Sequence, residues 1–234
     1  MGGSMQRRRL VRALIGFTLY LFFVPALLFV AAGTPNWPMA WVYTFLLLIA
    51  TIGSRLIVWK RNPDTLRERA RFTASEGTKA WDRFLVSIVG LYGPMATMIV
   101  AGLDHRYGWS MDIPRPGQYL AALVVAVGYG LAMWAMVVNR YFSAVARIQK
   151  DRQQVVVITG PYRIVRHPAY AGGLIAALAL PFMLEAIWAL LPALIMVIAL
   201  IVRAELEDRM LREELDGYET FTRVTTYRLF PGLW

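Results

Sequence analysis

Apolar residues come along this chain in blocks of about twenty, the length that crosses a bilayer, and polar residues gather between the blocks. Leu10 to Ala32, Met39 to Trp59, Phe84 to Leu103 and Tyr119 to Val138 are apolar all round rather than on one face. Each predicts a membrane-spanning helix, since about 1.5 Å of rise per residue carries such a block across roughly 30 Å of hydrocarbon. Pro25 inside the first is tolerable where neighbouring groups re-satisfy the freed carbonyl. Trp37 and Trp41 at one end of the second, and Trp59 at the other, suit interfacial anchors. Two further runs, Pro168 to Leu184 and Ile187 to Val202, are each short for a crossing and are parted by Glu185. They predict a helical hairpin dipping through the bilayer, or two crossings. The second continues without a breaker into the charged stretch Arg203 to Leu215, so one long helix should leave the membrane and stop at Asp216-Gly217. The expected fold is an all-α integral membrane protein with five to six transmembrane helices, the last two a hairpin.

The polar connections refine this. Asn62-Pro63-Asp64 begins a short basic helix lying on the membrane surface, within an interfacial segment 60–83. Small residues Ala121, Ala122, Gly128 and Gly130 in the fourth span favour close helix packing. In the connection Asn139 to Thr159, the β-branched run Val155 to Ile158 predicts an extended lead-in. The chain divides into residues 1–138, with four spans and the surface segment, and residues 139–234, which hold the candidate chemistry.

Composition agrees with a membrane protein: 58% of residues are hydrophobic, and mean hydropathy is +0.48. A net charge of +10 would fit a nucleic-acid partner, but placement explains it otherwise. With alternating spans, 23 of the 25 lysines and arginines fall on one side and only Arg106 and Arg115 on the other. By the positive-inside rule that side is the cytoplasm, with both termini in it and the inner membrane as the location if the source is bacterial. No nucleic acid and no obligate protein partner is expected. Cysteine is absent, which excludes disulfides and thiolate chemistry. The two histidines, His105 and His167, lie in different loops, so no metal site is expected. Met1-Gly2-Gly3-Ser4 reads as an expression remnant, and the first apolar run is too long for a cleavable signal.

The densest chemistry lies from Gly160 to Gly173, where a short polar turn carries Tyr162, Arg163, Arg166, His167 and Tyr170 into a helix start at Pro168. A helix N-terminus favours anions through its free N–H groups and dipole. The helix leaving the membrane offers Glu205, Glu207, Asp208, Glu213 and Glu214, and Tyr218 follows. Glu207 stands about one turn past the membrane exit, facing where the central turn must pack, and is the functional candidate among these acids. Glu205–Arg209 and the Glu213–Glu214 pair suit surface ion pairing. Glu185 suits an interfacial acid, and His105 a solvated side chain without a role.

Gly160-Pro161-Tyr162, then Arg166-His167-Pro168-Ala169-Tyr170-Ala171-Gly172, resembles the Gly-x-Tyr and Arg-His-Pro-x-Tyr-x-Gly motif of the isoprenylcysteine carboxyl methyltransferase superfamily, which includes bacterial and phospholipid N-methyltransferase relatives. Glu207-Asp208-Arg209-Met210-Leu211 stands where that superfamily has Glu-Glu-x-x-Leu, and Tyr218 and Tyr227-Arg228-Leu229-Phe230-Pro231 match its tail. The resemblance covers about Asn139 to Trp234. It implies S-adenosylmethionine as cofactor, with S-adenosylhomocysteine as product, held on the cytoplasmic side between the central turn and the last helix. Tyr162, Arg166, His167, Tyr170, Gly172 and Glu207 carry over as cofactor contacts, Arg166 and the helix start serving the methionyl carboxylate. Glu207 and Arg203 are the catalytic candidates, Arg203 at the membrane edge for orienting an acidic acceptor. The acceptor implied is lipophilic or membrane-embedded, a prenylcysteine-like carboxylate or a lipid amine. Asp208, Phe221 and Gln154 depart from the family pattern. Sterol reductases that use NADPH share a similar motif but are usually longer, and a non-enzymatic membrane scaffold is the third possibility.

Overall fold

The structure, a computed structural model, describes residues 2–70 and 77–234; the part of the expected surface segment at 71–76 lies outside the described residues. Among the described residues the regular structure is helical throughout and no strand forms. The α-helices are α1 (Gly2–Ala32), α2 (Pro38–Arg61), α3 (Pro63–Ala70), α4 (Ala80–Ser87), α5 (Gly93–Tyr107), α6 (Arg115–Val138), α7 (Pro168–Met183), α8 (Leu190–Glu214) and α9 (Tyr218–Val224). Four stretches are long and apolar enough to cross a membrane: Pro38–Arg61, Ala80–Tyr107, Arg115–Val138 and Ile187–Glu214. Thr18–Ala32 and α7 are apolar but shorter. At 16 residues, α7 reaches only about 24 Å. Side chains such as Phe22, Phe45, Leu123, Ile195 and Ile198 are exposed on these helices, as hydrocarbon surroundings allow.

Local chemistry sets the boundaries. Proline opens α2 and α7, where a missing N–H costs nothing and φ is already helical. Gly108 closes α5 at φ +63, its N–H returning to the Asp104 carbonyl at 2.8 Å. Asn62-Pro63-Asp64 does begin a helix, α3, and the run Val155 to Ile158 has no regular structure. The Ala80–Tyr107 stretch contains a π-helical turn at Ile88–Tyr92, with the Gly93 N–H bonded to the Ile88 carbonyl. Pro94 follows at once. It has no N–H for the carbonyl four residues back, and the wider turn relieves that mismatch.

Packing is tightest where side chains vanish. A Cβ on Gly128 of α6 would lie 2.5 Å from the Gly172 carbonyl oxygen of α7, and one on Gly102 of α5 would lie 2.5 Å from the Leu28 carbonyl oxygen of α1. These crossings let backbones touch, which suits association inside a bilayer. The largest buried apolar cluster joins α1, α2, α5, α6 and α7 around Leu28, Met98, Val125 and Met183.

Polar groups collect at the two ends of the bundle. At one end Asp104 accepts from the Ser110 N–H and hydroxyl at 2.8 and 2.6 Å and from the Trp188 N–H at 3.1 Å. Glu185, at φ +56, accepts the Ile113 N–H at 2.7 Å, so it clips the loop before α6 to the connection between α7 and α8. His105 is not simply solvated, as its lone position suggested; its ring stacks on Trp37 with centroids 3.9 Å apart. The other end carries the candidate chemistry.

Candidate functional site

The central turn is built by Gly160, at φ +58, and a 3-10 turn over Gly160–Arg163. It is tied to the chain after α9. The Arg166 and His167 N–H groups donate to the Tyr227 and Arg228 carbonyls, each at 2.9 Å. Arg166 Nη1 donates to the Thr225 and Thr226 carbonyls at 2.9 and 2.6 Å, and the Thr225 hydroxyl donates to the Tyr162 carbonyl at 3.2 Å. Turn and tail therefore form one unit at the start of α7.

Asp208 of α8 anchors that unit. Its carboxylate has no exposed surface. It accepts from Arg166 Nε at 2.7 Å and Nη2 at 3.1 Å, from Arg212 Nε at 3.2 Å, from Arg228 Nε at 3.1 Å and from the Tyr218 hydroxyl at 3.0 Å, with His167 Nε2 at 3.3 Å. Burial, and then the neighbouring Asp208 charge, push the Tyr218 phenol well above its ordinary range, so it stays a donor. One side chain thus gathers the turn, α8, the approach to α9 and the tail.

Beside this hub lies a cavity of about 610 Å³ whose wall includes Tyr162, Arg166, His167, Tyr170, Arg203 and Glu207. That volume is in the range of small-molecule sites. Glu207 is half-buried and accepts a hydrogen bond from the Tyr170 hydroxyl. The His167 and Tyr170 rings are near parallel, 11° apart, with centroids 5.6 Å from each other. Asn139, where α6 ends, donates to the Tyr162 hydroxyl at 3.1 Å, and burial raises that phenol so that it stays neutral. The first turn of α7, from His167 to Tyr170, lines the same space.

Five of the residues singled out from the sequence as cofactor contacts therefore share one wall: Tyr162, Arg166, His167, Tyr170 and Glu207. Gly172 does not join them. It faces α6, not the cavity, and the space it leaves is taken by Gly128. Arg166 lines the cavity, but its guanidinium is spent on Asp208 and two tail carbonyls, which leaves it no N–H fork for a carboxylate ligand. Arg203 is similar. Its Nε and Nη2 meet Asp82 of α4 at 2.6 and 3.2 Å, Nη2 also reaches the Ala144 carbonyl at 2.9 Å, and its guanidinium carbon sits 5.5 Å from the centre of the Tyr170 ring. Glu205–Arg209 is the loose surface pair expected, at 3.8 Å, and Glu214 pairs with Lys79.

Two residues that organise this end were not read as important from sequence. Asp208 stood out only as a departure from the family's glutamate. Asp82 lay unnoticed in Trp81-Asp82-Arg83, yet it is fully buried and also accepts the Ala146 N–H at 2.6 Å. An ionisable residue beside a span was the available signal. Gln154 lines the cavity and accepts the Gln149 N–H, and Phe221 packs edge-on against Tyr218 at 5.5 Å.

The donor set has a definite chemistry. An acid, two aromatic rings and neutral phenols suit a cationic or hydroxyl-rich ligand. Among the described residues no group of three or more His, Asp or Glu side chains could hold a metal ion. Residues 117–216 match the phospholipid methyltransferase family, part of the isoprenylcysteine carboxyl methyltransferase-like superfamily of membrane methyltransferases, as the motifs indicated. No curated protein matches the chain.

Proposed function

Since residues 117–216 match the phospholipid methyltransferase family, we propose that this chain transfers a methyl group from S-adenosylmethionine to a lipophilic acceptor at the cytoplasmic face of its membrane. The observation that carries this is the cavity wall itself, which joins Glu207, Tyr170, His167 and Tyr162 from two elements of the matched segment. The residues present fit the cofactor. Its sulfonium and amino groups are cationic and would be held by the Glu207 carboxylate and the stacked His167 and Tyr170 rings. Its ribose hydroxyls would take Glu207 and the Tyr162 phenol as partners. Its carboxylate has the first turn of α7 rather than Arg166, whose role is to hold the tail closed over the turn. Residues 139–234 supply most of this site, and residues 1–138 support it through Asp82 and the remaining wall.

When bound, the cofactor supplies a methyl group on a good leaving sulfur, so the displacement needs alignment and dryness more than acid or base. The chain's residues provide both. Tyr170 and Glu207 lock each other, Arg203 covers the Tyr170 ring, and Asp82 holds Arg203 still. The acceptor is a lipid amine in its neutral form or the carboxylate of a prenylcysteine-like molecule. Arg203, on the same wall, favours an acid through its charge although its strongest bonds are to Asp82.

Isothermal titration with S-adenosylhomocysteine tests this. Wild type should bind saturably, and Glu207→Ala should weaken binding at least about tenfold, the loss of one charge-assisted hydrogen bond in a dry site. Binding of NADPH in its place, or equal affinity in Glu207→Ala, would overturn the assignment.

A further inference from the structure

Glu207 differs from the acids beside it on α8. Glu205 pairs with Arg209 and Arg228, and Asp208 with Arg166, Arg212 and Arg228. Among the described residues Glu207 makes no ion pair and accepts only from the Tyr170 hydroxyl. Yet a cation stands one helical turn away. Arg203 precedes Glu207 by four residues on the same helix and lines the same cavity. Side chains at that spacing are neighbours, and an arginine and a glutamate so placed attract each other, most strongly where water is excluded. Arg203 is buried and needs a counter-charge. It takes Asp82 instead of Glu207. Asp82 receives Nε at 2.6 Å and Nη2 at 3.2 Å, and the Ala144 carbonyl holds Nη2 at 2.9 Å. A guanidinium fork met by both carboxylate oxygens is the stronger arrangement. Asp82 is itself fixed, with no exposed surface and the Ala146 N–H bonded to it at 2.6 Å. It does not line the cavity, and it lies on α4, ahead of the matched segment.

We propose that Asp82 is a positioning residue for the cofactor's cationic group, acting through Arg203: by holding that guanidinium towards α4 it leaves the Glu207 carboxylate unneutralised and open to a ligand. This rests on the methyltransferase assignment for which ligand is gripped, but the competition of two acids for one arginine is a property of the chain alone. With the Asp82 charge gone, the buried guanidinium turns to the acid one turn along its own helix. Glu207 is then spent on an arginine, as Asp208 is. The role of Asp82 is one of charge, not of shape.

Isothermal titration of Asp82 variants with S-adenosylhomocysteine tests this, with unfolding midpoints measured alongside. Asp82→Asn keeps the shape and an acceptor for the Ala146 N–H, and should weaken binding about tenfold, close to the loss in Glu207→Ala. Asp82→Glu keeps the charge and should lose no more than about threefold. A packing role gives the reverse order, because asparagine fits the site and glutamate is too long. That order, or wild-type affinity in Asp82→Asn, overturns the proposal. Removing Arg203 as well, in Asp82→Asn/Arg203→Gln, should recover most of the lost affinity, since nothing then neutralises Glu207. The double variant leaves no buried charge unpaired, so it also decides the matter if Asp82→Asn does not fold. Affinity as weak as that of Glu207→Ala would then sink the idea. A measurement without ligand separates the proposal from the methyltransferase assignment. Glu207→Gln should barely move the unfolding midpoint of wild type but should lower that of Asp82→Asn by several degrees, because only there does Glu207 hold Arg203. Equal shifts in the two backgrounds refute the competition. If wild type binds no S-adenosylhomocysteine, the assignment fails and the midpoints alone decide the role of Asp82.

Discussion

Asp208 accepts hydrogen bonds from four side chains on four segments and lies within reach of a fifth, His167, with no surface exposed to solvent. Three of its partners are arginines, so its negative charge is what permits Arg166 to be buried at all. Removing it should leave the Arg166 guanidinium buried without a counter-charge. Asp208→Ala is therefore expected to lose about 3–5 kcal/mol of stability, the usual consequence of breaking a buried pair from one side. Asp208→Glu should recover part of it, because the longer acid keeps the charge and loses only geometry. Thermal unfolding in detergent checks both, and an unchanged midpoint in Asp208→Ala would contradict the hub. Glu207, the next residue toward the N-terminus, points into the cavity instead. Two adjacent acids on one helix thus divide the work, one stabilising the protein and the other available to a ligand.

At the scale of elements, the pairing of α6 and α7 carries the most information. Gly172 was read as a close-approach position, and it is one, but the partner is α6 rather than a cofactor. Gly172→Ala should force the two helices apart and cost about 1–3 kcal/mol by overpacking. It should leave affinity for S-adenosylhomocysteine unchanged in the molecules that remain folded. A selective loss of that affinity with an unchanged unfolding midpoint would return Gly172 to the ligand. The Gly-rich spacing was visible in the sequence, but spacing alone does not tell a helix neighbour from a small molecule, because both ask only for the absence of a side chain. The π-helical turn was likewise unforeseen. Pro94 was its visible cause, and a proline within an apolar run signals a kink without saying which way the helix relieves it.

At the scale of the whole molecule, apolar helices separate two polar ends, one around Asp104 and Glu185 and one around Asp208, Glu207 and Asp82. If the second end faces the cytoplasm, the two ends lie across the membrane from each other. The chain has no cysteine, which makes this easy to examine. Met111→Cys, at an 87% exposed position beyond α5, and Arg223→Cys on α9 should react with a membrane-impermeant maleimide from opposite sides of sealed vesicles. Reaction of both from the same side would remove the topology proposed above.

The amino-acid sequence by itself determined that the chain is a helical membrane protein and where most helices start and stop, and it singled out Tyr162, His167, Tyr170 and Glu207, which line one cavity. These follow from hydrophobic length, proline and glycine placement and motif spacing, all properties of neighbouring residues. Only the tertiary structure decided that Arg166 and Arg203 are held by Asp208 and Asp82, that Gly172 serves helix packing, and that the N-terminal half completes the cavity. A charge in a dry interior must be matched by another, and which of several acids stands close enough is settled by how distant helices pack.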